Sequence, residues 1–465
     1  MPKVVIVGGG ISGLALAYRL EQRAPDVEVT VLEQQTRVGG KIGTETHDGF
    51  RVEIGPNGFL DNKETTLQLC GELGLGERLV AASEAARRNR FLLLGGKLRA
   101  LPNSLLSFVR SDVLSWRAKL SLLAERFRPC GKGTKDESVD AFVRRRVGRE
   151  IAETLADPFV AGIYAGDSRE LSVRAAFPRL AALERDYGSV LGGLAKTARQ
   201  RKAEAAARGQ PAKRTGQMWS FREGLGLLIA TLRDRLRRPP VVGVTACQVR
   251  RTAPEGPNPW EVRGEGQDRW TADAVVLACP AYQQAGMLAD QDSELADRIG
   301  RIPYNRLAVV AVGYRKSDVP TSLEGFGYLV PRKEGREVLG VQWCSSIFPE
   351  RAPPGAVLLR AMCGGWHRPE MVGWDDERLL GVVRTELRQA CGIRANPIFH
   401  RVIRWDRAIP QYNLGHLERV AWIEERAQRY PGLFLGGNCY RGVAMNDCVE
   451  QADGLAERVV RWLEG

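Results

Sequence analysis

Gly8-x-Gly10-x-x-Gly13, with Glu33 twenty residues beyond its last glycine, is the part of this chain whose residue types and spacing most directly imply chemistry. The apolar run Val4 to Val7 precedes it and an alanine- and leucine-rich stretch through Leu20 follows, so the glycines sit at a strand-to-helix turn. At such a turn Gly8 permits the tight bend, Gly10 lets a pyrophosphate approach the backbone, and Gly13 lets the helix pack close to the strand. Gly9, Ile11 and Ser12 complete the loop, whose helix presents free N–H groups and its positive end to the phosphates. A second strand, in which Val27, Val29 and Val31 alternate with polar residues, ends at Leu32-Glu33. Its acid is placed to accept hydrogen bonds from adenosine ribose hydroxyls. A glycine turn alone also serves purely structural ends. Fingerprint, flanking strands and acid together predict a βαβ dinucleotide site.

Little else is arranged for chemistry. The nine cysteines, at 70, 130, 247, 279, 344, 363, 391, 439 and 448, form no Cys-x-x-Cys pair and read as reduced thiols of a cytosol-facing protein. His47, His367, His400 and His416 lie far apart without zinc-ligand spacing, and no metal site is expected. Lys and Arg number 68 against 55 Asp and Glu, a net charge of +13 that attracts polyanions such as nucleic acid, anionic lipid or polycarboxylate ligands. No basic motif is interleaved with aromatic residues, so nucleic acid ranks last, and a merely solvated basic surface is the competing reading. The chain runs from Met1 straight into the glycine loop, leaving no room for a signal peptide, and no apolar run approaches the roughly 18 residues of a spanning helix. The expectation is a cytoplasmic protein, soluble or lying on the inner face of the cell membrane.

The elements that position these residues follow in chain order. From about Arg90 to Gly193 the pattern reads mostly as helix, with Leu105, Val109, Val113, Trp116, Leu120 and Leu123 at intervals of three and four. Core packing is the favoured explanation of that stripe, with Ser111-Asp112 as an alternative cap of a second helix. Arg110, Arg117 and Lys119 among its positions offer a membrane-lying face as the minority reading. Arg199 to Gly216 has no large apolar residue and reads as an exposed, mobile insertion, after which Phe221 opens a new helical pattern. Strands are expected at Val241 to Val244, Val275 to Ala278, Leu307 to Val312 and Val357 to Met362. Leu433 to Asn438 and then Val449 to Leu463 repeat strand, glycine and helix, which suggests that the two ends of the chain share a domain.

Arg37-Val38-Gly39-Gly40 follows Glu33 after three residues and resembles the glycine-rich extension of the monoamine oxidase and phytoene desaturase superfamily, which uses FAD and not NAD. Further segments are Glu53-Ile54-Gly55-Pro56-Asn57-Gly58, Gly162-Ile163-Tyr164-Ala165-Gly166-Asp167, the stretch from Ile409 to His416, and Tyr440 to Cys448. Together they resemble the oxygen-dependent protoporphyrinogen oxidase family over nearly the whole chain. The resemblance implies that Gly8 to Gly13, Glu33, Gln34, Gly40, Lys41, Gly55, Pro56, Asn57 and Gly58 hold non-covalent FAD. It adds Trp405, Val443, Ala444 and Met445 at the flavin and Ala246 as a backbone contact near the adenine. On the substrate side it implies Arg90 opposite a propionate, with Gly162, Phe326, Leu329 and Met362 lining the pocket. Core packing is the competing reading of Phe326 and Met362. Ala161 departs from members that carry a basic residue at that position, so a second propionate contact there is not expected.

The fold so implied is α/β (α+β overall): a Rossmann-type FAD-binding domain with an inserted substrate-binding sheet domain and a mostly helical, membrane-associating region. The expected divisions are 1–85, 215–295 and 404–465 for FAD, 86–214 for the helical part and 296–403 for the substrate domain. The function implied is oxidation of protoporphyrinogen IX to protoporphyrin IX by oxygen, releasing hydrogen peroxide, in heme and porphyrin biosynthesis. In the family's mechanism the flavin takes hydride from a methylene bridge while a pyrrole proton is lost, and three such oxidations complete the conversion; no histidine stands out as a base, and no side chain is assigned a catalytic acid or base role. The nearest rival is coproporphyrinogen III oxidation to coproporphyrin III. More remote are an amine oxidase or a carotenoid desaturase, and a non-enzymatic FAD-binding protein. The porphyrinogen, oxygen and a membrane surface are the expected partners, and a homodimer is left open.

Overall fold

The computed structural model describes the chain except residues 132–134, 208–215 and 253–258, and at Leu105, Arg201 and Ala205 the backbone alone. The strand Lys3–Val7 is apolar without alternation because it is covered on both faces. It pairs in parallel with Glu28–Glu33 on one side and Ala274–Leu277 on the other, and Val241–Val242 and Leu433–Leu435 complete a five-stranded parallel sheet. The chain leaves Lys3–Val7 toward one side and returns much later on the other. Its carboxyl end is therefore the switch point where α/β sheets bind ligands, and the glycine loop stands there. The helices Ile11–Arg23 and Met445–Glu464 share a core on one face through Leu14, Leu16, Val449 and Ala452. The other face carries a three-stranded antiparallel sheet, Ala246–Arg251, Trp260–Gly264 and Arg269–Ala272. The C-terminal helix starts one turn earlier than Val449, at Met445, where Asp447 Oδ2 accepts the Ala444 N–H (3.2 Å).

A seven-stranded mixed sheet forms the second layer system, in the order Phe399–Trp405, Leu307–Arg315, Ala356–Gly364, Val338–Gln342, Gly327–Leu329, Phe91–Leu94 and Lys97–Ala100. All neighbours are antiparallel except Gly327–Leu329 with Phe91–Leu94. Side chains alternate across its faces. Ala308, Val310, Val312 and Tyr314 pack toward the helix Asp376–Cys391, whereas Leu307, Val309 and Ala311 meet Phe50, Val52, Ile54 and Met362 on the side of the FAD-type unit.

Several expectations change here. Residues 91–100 are two strands and not the start of a helical region; Phe91-Leu92-Leu93-Leu94 is a continuous apolar run whose periodicity cannot distinguish strand from helix. Serines 104 and 115 cap the helices Leu105–Arg110 and Trp116–Leu123 by accepting the N–H groups of Ser107 and Ala118, so Ser111-Asp112 is not the cap. The stripe is not core. Val113 is buried, but Trp116, Leu120 and Leu123 are 63%, 63% and 58% exposed, and the Leu105 side chain lies outside the described residues. The supposed insertion is helical through Ala207, in the helix Val190–Ala207, and its part over 208–215 lies outside the described residues. Phe221 ends the strand Met218–Phe221, and the next helix begins at Gly226. Among the described residues no helix is long and apolar enough to cross a membrane.

Candidate active site

The loop after Lys3–Val7 is shaped by its glycines. Gly8 has φ +116°, and a Cβ on Gly13 would lie 1.9 Å from the Gly8 carbonyl oxygen, so neither position tolerates a side chain without a shift of the loop. A Cβ at Gly10 would meet no atom within 4 Å, and no side chain caps the Ile11–Arg23 helix, whose first N–H groups point toward that space. Glu33 is buried and its carboxylate accepts the N–H groups of Gly9 and Gln35, both at 2.8 Å, so one side chain fixes loop and strand end together. Gln34 accepts from Gln283, and Ala246 opens the strand reached when the Val244 N–H binds the Glu33 carbonyl (3.0 Å). The Gly39 N–H donates to the Gly9 carbonyl (2.7 Å), which lays Gly40 over the loop, and a Cβ on Gly55 would lie 1.9 Å from the Lys41 carbonyl oxygen.

These residues fit FAD. Lys41 has no carboxylate partner among the described residues; its ammonium lies 5.7 Å from the centroid of the Tyr304 ring, and burial lowers its pKa to about 8. A half-buried cation without a carboxylate partner among the described residues, near an uncapped helix end, is the donor set a pyrophosphate requires. Asn57, in the turn Gly55-Pro56-Asn57-Gly58, is buried with its Nδ2 donating to nothing among the described residues. The Trp405 Nε1–H donates to the Ile54 carbonyl (2.9 Å), and Asn446, one residue past Met445, donates to the Leu60 carbonyl, so the turn is held from two sides. Val443 and Ala444 lead into the helix at Met445.

Of the residues expected on the substrate side, Leu329 and Met362 turn to the same face of the mixed sheet, while Phe326 packs at its edge with Ala86, Ile347 and Phe348. Arg90 and the strand after it form one end, with its guanidinium 5.2 Å from the centroid of the Phe326 ring and the Phe326 N–H donating to the Asn89 carbonyl (2.8 Å). Arg90 is exposed and has no ion-pair partner among the described residues, although the apolar groups around it desolvate its charge and lower its pKa. A Cβ on Gly162 would lie 3.0 Å from Leu329 Cδ2, so a side chain there would press on Leu329 where the Asp157–Tyr164 helix meets the sheet. Gly340 stands opposite Leu329 on one side and Met362 on the other. Met362 shares an apolar cluster with Ile54, Trp405 and Ala165 and thereby ties this face to the cofactor cradle.

Leu329 also lines a cavity of about 480 Å³ beneath the helical region, with Leu92, Leu114, Phe142, Ile151 and Phe159. The charged groups in its wall are satisfied internally: Arg146 binds Glu125, and Lys119 donates to the carbonyls of Val109 and Ser111. No histidine in the site is poised as a base. His416 is fully buried with its ring stacked on Tyr412 at 4.3 Å, its Nε2–H donating to the Tyr440 carbonyl (2.9 Å), and burial lowers its pKa to about 4. Among the described residues no group of His, Cys, Asp and Glu side chains forms a metal-ligand set.

Sequence reasoning missed the side chains that brace the site. Asn305 donates to the carbonyls of Tyr164 and Ala165 (2.8 and 3.0 Å) and Gln411 to that of Tyr164 (2.9 Å), holding Ala165 at φ +44° after the Gly162 helix. Glu53 pairs with Arg351 (2.9 Å), and Arg360 donates to the Glu53 carbonyl (2.8 Å) under the same turn. Gln411 lay within a segment already singled out. Nothing in the spacing of Asn305, Arg351 and Arg360 marks them, since tertiary contact alone brings them in.

Comparison with known proteins agrees with this geometry. The model of the flavin containing amine oxidoreductase family matches residues 11–460. Protoporphyrinogen oxidase 1, chloroplastic, of Arabidopsis thaliana is 35% identical over 466 residues, covering 96% of this chain and 86% of the relative. Coproporphyrinogen III oxidase of Bacillus subtilis is 30% identical over 470 residues, covering 99% of this chain and 98% of the relative. A crystal structure from Exiguobacterium, described provisionally as a protoporphyrinogen oxidase, superposes with a TM-score of 0.82 at 28% identity over 100% of this chain and 99% of that one.

Proposed function

Since this chain belongs to the flavin containing amine oxidoreductase family, we propose that it is an FAD-dependent porphyrinogen oxidase that converts protoporphyrinogen IX to protoporphyrin IX, with oxygen as acceptor and hydrogen peroxide as the second product. The observation that carries this reading is the apolar sheet face of Leu329, which meets Gly162, and Met362, which adjoins the cofactor cradle, with Arg90 as an unpaired cation over the Phe326 ring at its end. A porphyrinogen is a broad apolar macrocycle edged with carboxylates, and an apolar slot with few cationic anchors is its complement.

Bound FAD supplies the hydride acceptor and the route of electrons to oxygen. The chain's own residues do the rest by position. Gly8 to Gly13 and Lys41 receive the pyrophosphate, Glu33 and Gln34 stand at the ribose with Ala246 toward the adenine, and Gly40, Gly55 to Gly58, Trp405 and Val443 to Met445 enclose the flavin end. Phe326, Leu329 and Met362 press on the macrocycle and keep water from it, Gly162 leaves room for its edge, and Arg90 grips a propionate with its planar fork. His416 is locked in place by Tyr412 and Tyr440, and no side chain is given a proton-transfer role. FAD is bound without a covalent link: Cys439, near the flavin motif, is buried as a thiol, its pKa raised by burial to about 12.

The exposed face of Trp116, Leu120, Leu123 and Phe127 recurs at the spacing of one helical stripe, with Arg117 and Arg126 exposed beside it. It is the surface proposed to lie on anionic lipid, from which an apolar substrate is drawn. The second reading, coproporphyrinogen III oxidation, is favoured by the Bacillus relative. Specificity constants of the purified protein on both porphyrinogens in oxygenated buffer test the choice. The reading requires a higher kcat/KM on protoporphyrinogen IX; a higher value on coproporphyrinogen III replaces it with the second.

A further inference from the structure

The helix Asp157–Tyr164, which carries Gly162, is preceded by a π-helical turn, Ala152–Ala156. Such turns are rare inside helices and recur at functional sites. Leu155, Ala156 and Phe159 of this stretch line the cavity of about 480 Å³ together with Leu329. Other residues of the same stretch grip the turn Arg332–Glu334, which begins three residues after Leu329. The Thr154 hydroxyl accepts from Lys333 Nζ (2.7 Å), and the Asp157 carboxylate accepts the Arg332 N–H (3.0 Å). Past the far end of the helix, where Ala165 turns the chain at φ +44°, an oxygen of the buried Asp167 carboxylate lies 3.4 Å from Arg332 Nη1 and 3.6 Å from His367 Nε2. Its other oxygen accepts the Arg169 N–H (2.8 Å). Both ends of one helix are thus tied to one residue, Arg332, and Gly162 stands between the ties.

Holding Asp157 there is costly, since its carboxyl is half-buried and burial raises its pKa. What the ties fix is the approach of Gly162 to Leu329, whose two methyl carbons would lie 3.0 and 3.2 Å from a Cβ at 162. Nothing fits between helix and sheet at this point, and both Gly162 and Leu329 are partly open to solvent on the side where a macrocycle edge would come to rest. The rim groups of a porphyrinogen differ in how they meet such an edge. A vinyl group is short and apolar, whereas a propionate is longer and carries a charge that would lose its water there. Protoporphyrinogen IX has vinyl groups at two positions where coproporphyrinogen III has propionates.

We propose that Asp157 and Arg332 are positioning residues for substrate choice: by holding Gly162 against Leu329 they keep this end of the slot too short and too apolar for a propionate, so that it receives a vinyl edge. The inference rests on the porphyrinogen reading and adds what selects between the two substrates. Both residues act through Leu329 and Gly162 and not by touching the macrocycle.

The test uses the FAD-loaded protein and its specificity constants on protoporphyrinogen IX and coproporphyrinogen III. Asp157→Ala removes the acceptor of the Arg332 N–H, and Arg332→Gln removes the tie to Asp167 at an exposed side chain, so it reads the same brace if Asp157→Ala does not fold. Each is expected to lower the ratio of kcat/KM, protoporphyrinogen over coproporphyrinogen, about fivefold at full FAD content, chiefly through a lower KM for coproporphyrinogen III. Asp157→Asn keeps an acceptor and is expected to stay within about twofold of the parent ratio. A parental ratio in both Asp157→Ala and Arg332→Gln overturns the inference. So does an equal loss on both substrates with a lowered melting temperature, which would make the ties purely structural. A parent protein with full flavin that oxidises neither porphyrinogen overturns the porphyrinogen reading itself, and the inference with it.

Discussion

Arg90→Ala separates substrate recognition from stability because its guanidinium has so little to do in the folded chain. It makes no ion pair among the described residues, and the one ring it stands over is Phe326, at 5.2 Å from the centroid, among apolar groups that desolvate its charge. A cation over an aromatic ring at an exposed position contributes about 0.5–1 kcal/mol. In a domain of this size that loss lowers the melting temperature by only about 1–3 °C. A hydrogen bond between this charge and a propionate contributes about 1.5–3 kcal/mol, roughly ten- to hundredfold in kcat/KM. Steady-state oxidation of protoporphyrinogen IX, followed by the fluorescence of the porphyrin formed, should therefore show that loss at full FAD content and nearly unchanged melting temperature. Arg90→Lys should fall between the two because it keeps the charge and loses the fork. The loss should be larger for protoporphyrinogen, with two propionates, than for coproporphyrinogen, with four. An Arg90→Ala protein with parental kcat/KM would refute the assignment, and an equal loss on both substrates would remove its value for telling them apart.

Three further outcomes are expected. His416 is neutral in the fold with a pKa near 4 against an ordinary 6.5, so its contribution is complete above pH 6.5 and is lost as pH falls toward 4, by at most about 3 kcal/mol. The drop in melting temperature from pH 7.5 to 5 should be smaller in His416→Phe than in the parent, and equal drops would contradict the burial argument. Acid precipitation should release all flavin into the supernatant, since the Cys439 thiol is buried and protonated; yellow pellets would mean a covalent link. Vesicles with anionic lipid should sediment the protein in a salt-sensitive way that Trp116→Ser with Leu120→Ser weakens; equal sedimentation with neutral vesicles, or none with either, would remove the lipid-facing role.

The cofactor cradle was legible in the sequence because local geometry alone dictates its residues. Gly8 must adopt positive φ and Gly13 must lack a Cβ, and both needs are written in residue type and spacing. The stripe through Trp116, Leu120 and Leu123 was legible as a helix face but misread as core, because periodicity reports which residues share a side and not what covers it. Phe91 to Leu94 failed for a related reason: a strand covered on both faces carries no alternation to read. Glu33 illustrates a middle case, since its position was readable while its bonds to the Gly9 and Gln35 N–H groups depend on the turn that follows. Arg360 was beyond reach, because it matters only through the tertiary approach of its strand to the Glu53 carbonyl.

The central claim is that this fold carries out flavin-mediated porphyrinogen oxidation, and oxygen uptake coupled to porphyrin formation tests it most directly. With FAD-loaded protein and protoporphyrinogen IX, the account predicts enzyme-dependent porphyrin formation with three oxygen molecules consumed and three hydrogen peroxide molecules formed per porphyrin, above the spontaneous rate. Flavin that is not reduced by either porphyrinogen under anaerobic conditions, with no enzyme-dependent oxygen uptake when air is admitted, would contradict it.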